Sequence, residues 1–165
     1  MSIDIALARI DDRLIHGQVA TAWSKQTGIE RILVVSDEVA QDQLRRFLLQ
    51  EASPPGIKSN VISVDKMITL YHEDLLANQK VMLLFTDPNA VERLVRGGVL
   101  LTSINIGGMR FTVGKKMLTN FVSLDQADIA SFQFLASQGI ELELRKVPAD
   151  RKVYLMELLE KENFV

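Results

Sequence analysis

Short apolar runs of strand length alternate with amphipathic segments of helix length along the whole chain, the signature of an α/β domain. The runs predict strands over 5–10, 31–35, 60–64, 81–85, 103–106, 121–123 and 141–146. Between them, 3.6-residue spacing predicts helices over 18–26, 39–51, 66–77, 90–96, 126–137 and 151–160. The run Val81-Met82-Leu83-Leu84-Phe85 is apolar at every position, as a parallel strand must be when helices cover both faces of its sheet. Glu141-Leu142-Glu143-Leu144-Arg145 alternates charged and apolar residues, which predicts a strand at a sheet edge with one wet face.

The boundaries carry their own chemistry. Asp37, Asp65 and Asp125 stand where helix N-caps are expected. Gly28, Gly97-Gly98 and Gly139 follow predicted helices, and Pro54-Pro55-Gly56 blocks continuation of another. There is no repeat, no low-complexity stretch and no Ser- or Pro-rich linker, so residues 1–165 are expected to form one domain.

Composition narrows the function classes. With 47% hydrophobic residues in 165, the chain can build a sizeable core. Lys and Arg number 19 against 21 Asp and Glu, so no general positive field favours nucleic acid and any anion site must be local. Zero cysteines exclude disulfides and thiolate metal sites, in keeping with an intracellular protein. The two histidines, His16 and His72, are too far apart in sequence to make a ready metal pair. No stretch reaches the roughly 18 apolar residues of a membrane span, and the N-terminus lacks the basic start and apolar run of a secretory signal.

Candidate chemistry concentrates after the first strand, in Arg9-Ile10-Asp11-Asp12-Arg13-Leu14-Ile15-His16-Gly17-Gln18. A neutral imidazole can attack phosphorus, and a planar guanidinium can hold the charge of a moving phosphoryl group. Val19, Ala22 and Trp23 begin an apolar stripe, which puts His16, Gly17 and Gln18 at a helix N-terminus whose unpaired amides favour a phosphate. Arg13 is the candidate for charge stabilisation, with an ion pair to Asp11 or Asp12 as the alternative. Arg9 is given a supporting role, its stem snorkelling to the sheet edge. Asp11 and Asp12 allow three readings: a helix cap, a partner fixing the His16 tautomer, or a magnesium-binding pair. Ser36-Asp37 and Gly107-Gly108 follow the second and fifth strands and can complete an anion pocket, or form ordinary turns. Leu14 is expected to contact partners. Lys115 and Lys116 read as a solvated edge, His72 as a surface residue, and Trp23 as packing. Gly108 to Gly114-Lys115-Lys116 has five residues between its glycines and no following Ser or Thr, so it is not a nucleotide phosphate loop.

Arg9 to Val19 resembles the phosphohistidine signature of the enzyme IIB components of the mannose/fructose/sorbose group of the bacterial sugar phosphotransferase system. Val34-Val35-Ser36-Asp37-Glu38, Met82-Leu83-Leu84-Phe85-Thr86 and Asn105-Ile106-Gly107-Gly108-Met109-Arg110 extend the resemblance over nearly the whole chain. It implies a three-layer α/β/α sandwich with a mainly parallel sheet: a six-stranded parallel core in the order 3-2-4-1-5-6, plus an edge strand. It further implies a cytoplasmic phosphocarrier in which His16, through the ring nitrogen nearer the main chain, accepts a phosphoryl group from the phosphohistidine of a IIA protein. The group then passes to a sugar bound by membrane IIC and IID subunits, with Arg13 stabilising the transfer and with no metal or other cofactor. No IIA-like domain precedes Met1, so the donor is expected on a separate polypeptide. Two rivals stand beside this reading: a receiver-like domain phosphorylated on Asp11 or Asp12 with magnesium, and a noncatalytic metabolite-binding module.

Overall fold

The computed structural model describes residues 3–165. In chain order its first half comprises β1 (Asp4–Asp11), α1 (Gly17–Thr27), β2 (Arg31–Val35), α2 (Asp37–Ala40), α3 (Gln43–Glu51), β3 (Lys58–Ile62), α4 (Val64–His72) and β4 (Lys80–Phe85). There follow α5 (Pro88–Arg96), β5 (Ser103–Gly108), β6 (Lys116–Thr119), β7 (Val122–Leu124), α6 (Gln126–Ser137), β8 (Glu141–Leu144), β9 (Val153–Tyr154) and α7 (Leu155–Lys161). The main sheet runs β3-β2-β4-β1-β5-β8-β9. Its first six strands are parallel and β9 closes the edge antiparallel to β8. This is the expected sandwich, with β8 in the sixth place and β9 as the edge strand.

Two cores lie on opposite faces of this sheet. Leu33, Val35, Val81, Leu83 and Phe85 face α4, α5, α6 and α7, while Ile32, Val34, Met82 and Leu84 face α1, α2 and α3. The all-apolar strand β4 thus feeds both cores, as its sequence requires. On the α1 side β1 changes character along its length: Leu7 packs against the smaller core, and Arg9 and Asp11 follow it on the same face, both buried. The connection after β1 leads through α1 to β2, and the one after β5 leads through α6 to β8 on the other face. The crevice at the carboxyl ends of β1 and β5 is therefore a topological switch point.

Several expected elements change. The helix predicted over 39–51 is two helices, because Ser36 caps α2 through the Val39 amide (3.2 Å) and Asp42 starts α3 by accepting from the Arg45 amide (3.0 Å). Ser63, rather than Asp65, caps α4, and that helix ends at His72, ahead of left-handed backbone at Asp74 and Asn78. Asn and Asp adopt this conformation most readily among residues with a side chain. Asp125 does cap α6, in a reciprocal capping box with Asp128. The strand expected over 121–123 pairs with β6 in a separate hairpin and stays outside the main sheet. The alternating strand β8 is not an edge strand: β9 covers it, and Glu143 is 1% exposed. Its polar alternation serves a buried ion network.

Candidate phosphoryl-transfer site

The loop from Asp11 to Gly17 is a tight turn that pulls its apolar residues inward. The Leu14 amide donates to the Asp11 carbonyl (2.8 Å) with Leu14 at φ 60°. Left-handed backbone costs an L-residue about 1–2 kcal/mol, and burying a leucine side chain returns roughly 1.5–3 kcal/mol. Leu14 and Ile15 are both buried in the α1-side core. Leu14 is therefore a pin for the loop and has no surface to offer a partner. The exposed apolar group beside the site is instead Phe111, in the connection from β5 to β6.

With Leu14 and Ile15 anchored, His16 falls at the N-cap of α1 with extended backbone and a partly exposed ring. No side chain caps this helix and its first turn carries no acid. The amides of Gly17 and Gln18, both exposed, precede the first intrahelical bond, which runs from the Ala20 amide to the His16 carbonyl. The end of α1 beside the imidazole is thus an open set of donors with a favourable dipole for an anion.

Asp11 organises the site. Its fully buried carboxylate accepts five hydrogen bonds: from Arg9 Nη2 (2.9 Å), the Arg13 amide (3.1 Å), Arg13 Nε (3.1 Å), Arg13 Nη2 (3.2 Å) and His16 Nε2 (3.2 Å). Burial works against its ionised form. The hydrogen bonds from Arg13, the charge of Arg9 and the bond to His16 overcome that penalty and hold Asp11 below the usual carboxylate range. An ionised carboxylate only accepts, so His16 Nε2 carries a proton, and in the neutral ring the lone pair then lies on Nδ1. Asp12 does a different job: its carboxylate accepts from the Arg110 amide (2.7 Å) and its amide donates to the Gly108 carbonyl (3.2 Å), tying the β1 loop to the end of β5.

The two arginines differ sharply. Arg13 is half exposed and its guanidinium bonds Asp11 through a two-nitrogen fork, so the ion pair weighed from sequence is present. Arg9 does not snorkel. It is buried, and it donates to Asn105 Oδ1, to the carbonyls of Arg145 (3.0 Å) and Lys146 (3.1 Å), and to Asp11. Burial lowers its pKa from the usual arginine value, with Asp11 opposing the shift. Trp23 of α1 lies beneath Arg9 and Arg145, with its ring centroid 5.3 and 5.1 Å from their guanidinium carbons. Its indole donates to the Lys146 carbonyl (3.0 Å).

Gly107 and Gly108 serve this network by what they lack. A Cβ on Gly107 would lie 2.0 Å from Arg9 Nη2, and one on Gly108 3.3 Å from Asp11 Oδ1. Ser36 and Asp37 sit elsewhere. Ser36 caps α2, and Asp37 accepts from the Val64 amide (2.9 Å) and Arg93 Nη1 (2.7 Å) at the mouth of β2, with β4 between them and β1. Nothing among their hydrogen bonds joins them to His16. Lys115 pairs with Asp128 (3.1 Å) instead of lying on a solvated edge. His72 is exposed, and its Nε2 bonds the Gly97 carbonyl at 2.7 Å.

Three participants were not singled out from the sequence: Asn105, Glu143 and Arg145. Parallel register places Arg9, Asn105 and Glu143 side by side on β1, β5 and β8. The polar residues of the alternating strand β8 share a face with Arg9 and Asp11, a coincidence that strand order alone would have exposed. Beside Arg13 opens a cleft of about 440 Å³ lined by Arg110, Lys146, Phe111 and Phe121 among others. Among the described residues no group of three or more His, Asp or Glu side chains is disposed to hold a metal ion.

A doubly wound sandwich presents an imidazole, a buried carboxylate and a half-exposed guanidinium at its switch point. The chain matches the PTS system sorbose subfamily IIB component family over residues 5–165, and it belongs to that family. It is 46% identical over 162 residues to the sorbose-specific EIIB component of Klebsiella pneumoniae, covering 98% of this chain and 99% of that protein. It is 55% identical over 157 residues to the mannose-specific EIIAB component of Escherichia coli K12. That match covers 95% of this chain, which spans only about half (49%) of that longer relative. The crystal structure of the IIBSor domain of the Klebsiella pneumoniae sorbose permease superposes with a TM-score of 0.95 over 100% of both chains at 45% identity.

Proposed function

We propose that the protein is a phosphocarrier in a sugar phosphotransferase system, with His16 Nδ1 as the phosphoryl acceptor. The observation that carries this reading is the Asp11–His16 contact. Asp11 takes the proton-bearing Nε2, which leaves Nδ1 as the nucleophile beside the open N-terminus of α1 and within the neighbourhood of Arg13. A phosphohistidine on a IIA-type donor supplies the group. As the P–Nδ1 bond forms on His16, the donor's P–N bond breaks and its imidazole leaves with the electron pair. Arg13 and the amides of Gly17 and Gln18 bear the charge on the equatorial oxygens. In the second step a sugar hydroxyl attacks phosphorus and gives up its proton to solvent, while the P–Nδ1 bond breaks and its electron pair returns to the His16 imidazole.

The chemistry needs no metal or nucleotide. The sugar would be of mannose, fructose or sorbose type, presented by membrane IIC and IID subunits with which this domain associates on the cytoplasmic side. Among the described residues no helix is long and apolar enough to cross a membrane. The receiver-like alternative lacks a free acceptor. Asp11 is buried under five donors, and Asp12 is committed to the Arg110 amide. The test is peptide-level mass spectrometry under alkaline handling, after incubation with phosphoenolpyruvate, the general phosphotransferase proteins and a mannose-family IIA. An acid-labile phosphate on His16, absent from His16→Ala, is the expected result. No phosphate with active donors, or a base-labile one on Asp11 or Asp12, would overturn the reading.

A further inference from the structure

We propose that Asn105 is a positioning residue for phosphoryl transfer at His16: it locks Arg9 as the fixed counter-ion of Asp11, so that Arg13 alone exchanges from Asp11 to the arriving phosphoryl group. The inference rests on the phosphocarrier reading above and adds a division of labour between the arginines.

A phosphoryl group on His16 brings about two negative charges next to the Asp11 carboxylate. Asp11 has two guanidinium partners, and only one of them is free to leave. The Arg13 side chain is 52% exposed and, among the described residues, bonds only Asp11. The Arg9 side chain is 3% exposed and spends its donors on four groups at once. Were both to turn to the phosphate, Asp11 would be a buried, uncompensated anion that releases His16 or takes up a proton.

Asn105 is the side chain that holds Arg9 in place. Its Oδ1 accepts from Arg9 Nη1, while its Nδ2 donates to Glu143 Oε1 (3.1 Å) and to the Arg145 carbonyl (3.3 Å). Glu143 in turn is gripped by Arg145 Nε and Nη2, each at 2.9 Å. A turned amide would set two donors against each other at Arg9 and two acceptors against each other at Glu143, so the sense of the chain is fixed. It runs across three adjacent strands to the sixth of the sheet, which anchors the counter-ion to the rigid core. Gly107 leaves the room in which Arg9 lies.

The transfer itself moves no proton: the donor P–N bond breaks as P–Nδ1 forms, and His16 Nε2 keeps its hydrogen bonded to Asp11. An Asn105→Leu variant isolates the role. In the unphosphorylated protein Arg13 still holds Asp11, so ¹⁵N NMR of the His16 ring should show the wild-type Nε2–H tautomer. Single-turnover transfer from the phosphorylated donor should fall roughly 10–100-fold, as when other outer hydrogen-bond partners are removed. In the phosphorylated form the Nε2–H signal should lose its hydrogen-bonded shift. A folded Asn105→Leu with wild-type rate and wild-type phosphorylated spectrum would overturn the proposal. Equal disturbance of the ring in both forms would do the same, because that is the mark of a merely structural role. If Asn105→Leu does not fold, the smaller Asn105→Ser breaks the chain at the same point and is read identically. Wild type without phosphate on His16 would instead bring down the phosphocarrier reading, and this proposal with it.

Discussion

Asp11 concentrates the consequences of single residues, since Arg9, Arg13 and His16 all touch it. Replacing it by Asn leaves Arg9 buried without its counter-charge, a change that costs about 3–5 kcal/mol when a buried ion pair loses one member. Urea denaturation at pH 7 should show that loss in Asp11→Asn, and transfer should fall because an amide no longer dictates which ring nitrogen bears the proton. Arg13 is the opposite case. It is half exposed and Arg9 still faces the buried carboxylate when it is removed, so Arg13→Ala should fold, with a smaller loss of stability than Asp11→Asn. Its single-turnover transfer should slow by roughly 10³–10⁵-fold, the scale on which phosphoryl-stabilising arginines act. A folded Arg13→Ala that transfers at the wild-type rate would remove Arg13 from the mechanism.

Strand ends and helix starts make the site, and the glycines at these junctions separate two kinds of requirement. A methyl on Gly107 would meet the buried Arg9 guanidinium at 2.0 Å, whereas one on Gly17, at φ 47°, meets nothing within 4 Å. Gly107→Ala should therefore lose stability and transfer together, with overpacking alone costing about 1–3 kcal/mol. Gly17→Ala should cost only the backbone strain of about 1–2 kcal/mol. Thermal denaturation and transfer rates of the pair distinguish space from conformation. Ser36→Ala should cost about 1 kcal/mol as a lost N-cap and leave transfer to His16 unchanged. Most strands and helices were legible in the sequence because their periodicity and caps are local: β2, β4 and α6 need no knowledge of the rest of the chain. The break between α2 and α3 was missed because an apolar stripe can run through two helices, and the restart at Asp42 is a polar signal within it. Asn105 and Glu143 were illegible for another reason. A charged residue in an alternating strand reads as wet, and only the pairing of β8 with β5, and of β5 with β1, shows that its polar face lies against Arg9.

The whole molecule carries its charges in two settings, and acid should tell them apart. Asp37, Glu92 and Glu141 are held below the ordinary carboxylate range mainly by hydrogen bonds from Arg93, Arg96 and Lys152, in pairs that are partly open to water. Asp11 is lowered by partners that overcome full burial. A carboxylate whose folded pKa is depressed contributes stability that is fully present above its unfolded value, 3.8 for Asp, and is lost as pH falls through the folded value. Stability should accordingly be level around neutrality and decline below about pH 4. Salt screens the open pairs and leaves the enclosed one largely untouched. Urea midpoints measured at pH 7 and pH 3, each in low and high salt, should therefore show an acid-induced loss that persists in high salt. Asp11→Asn, which has no carboxyl group to protonate there, should lose less than wild type between the two pH values. An acid loss of equal size in wild type and Asp11→Asn would place the acid sensitivity in the outer pairs and not in the chain from His16 through Asp11 and Arg9 to the sixth strand.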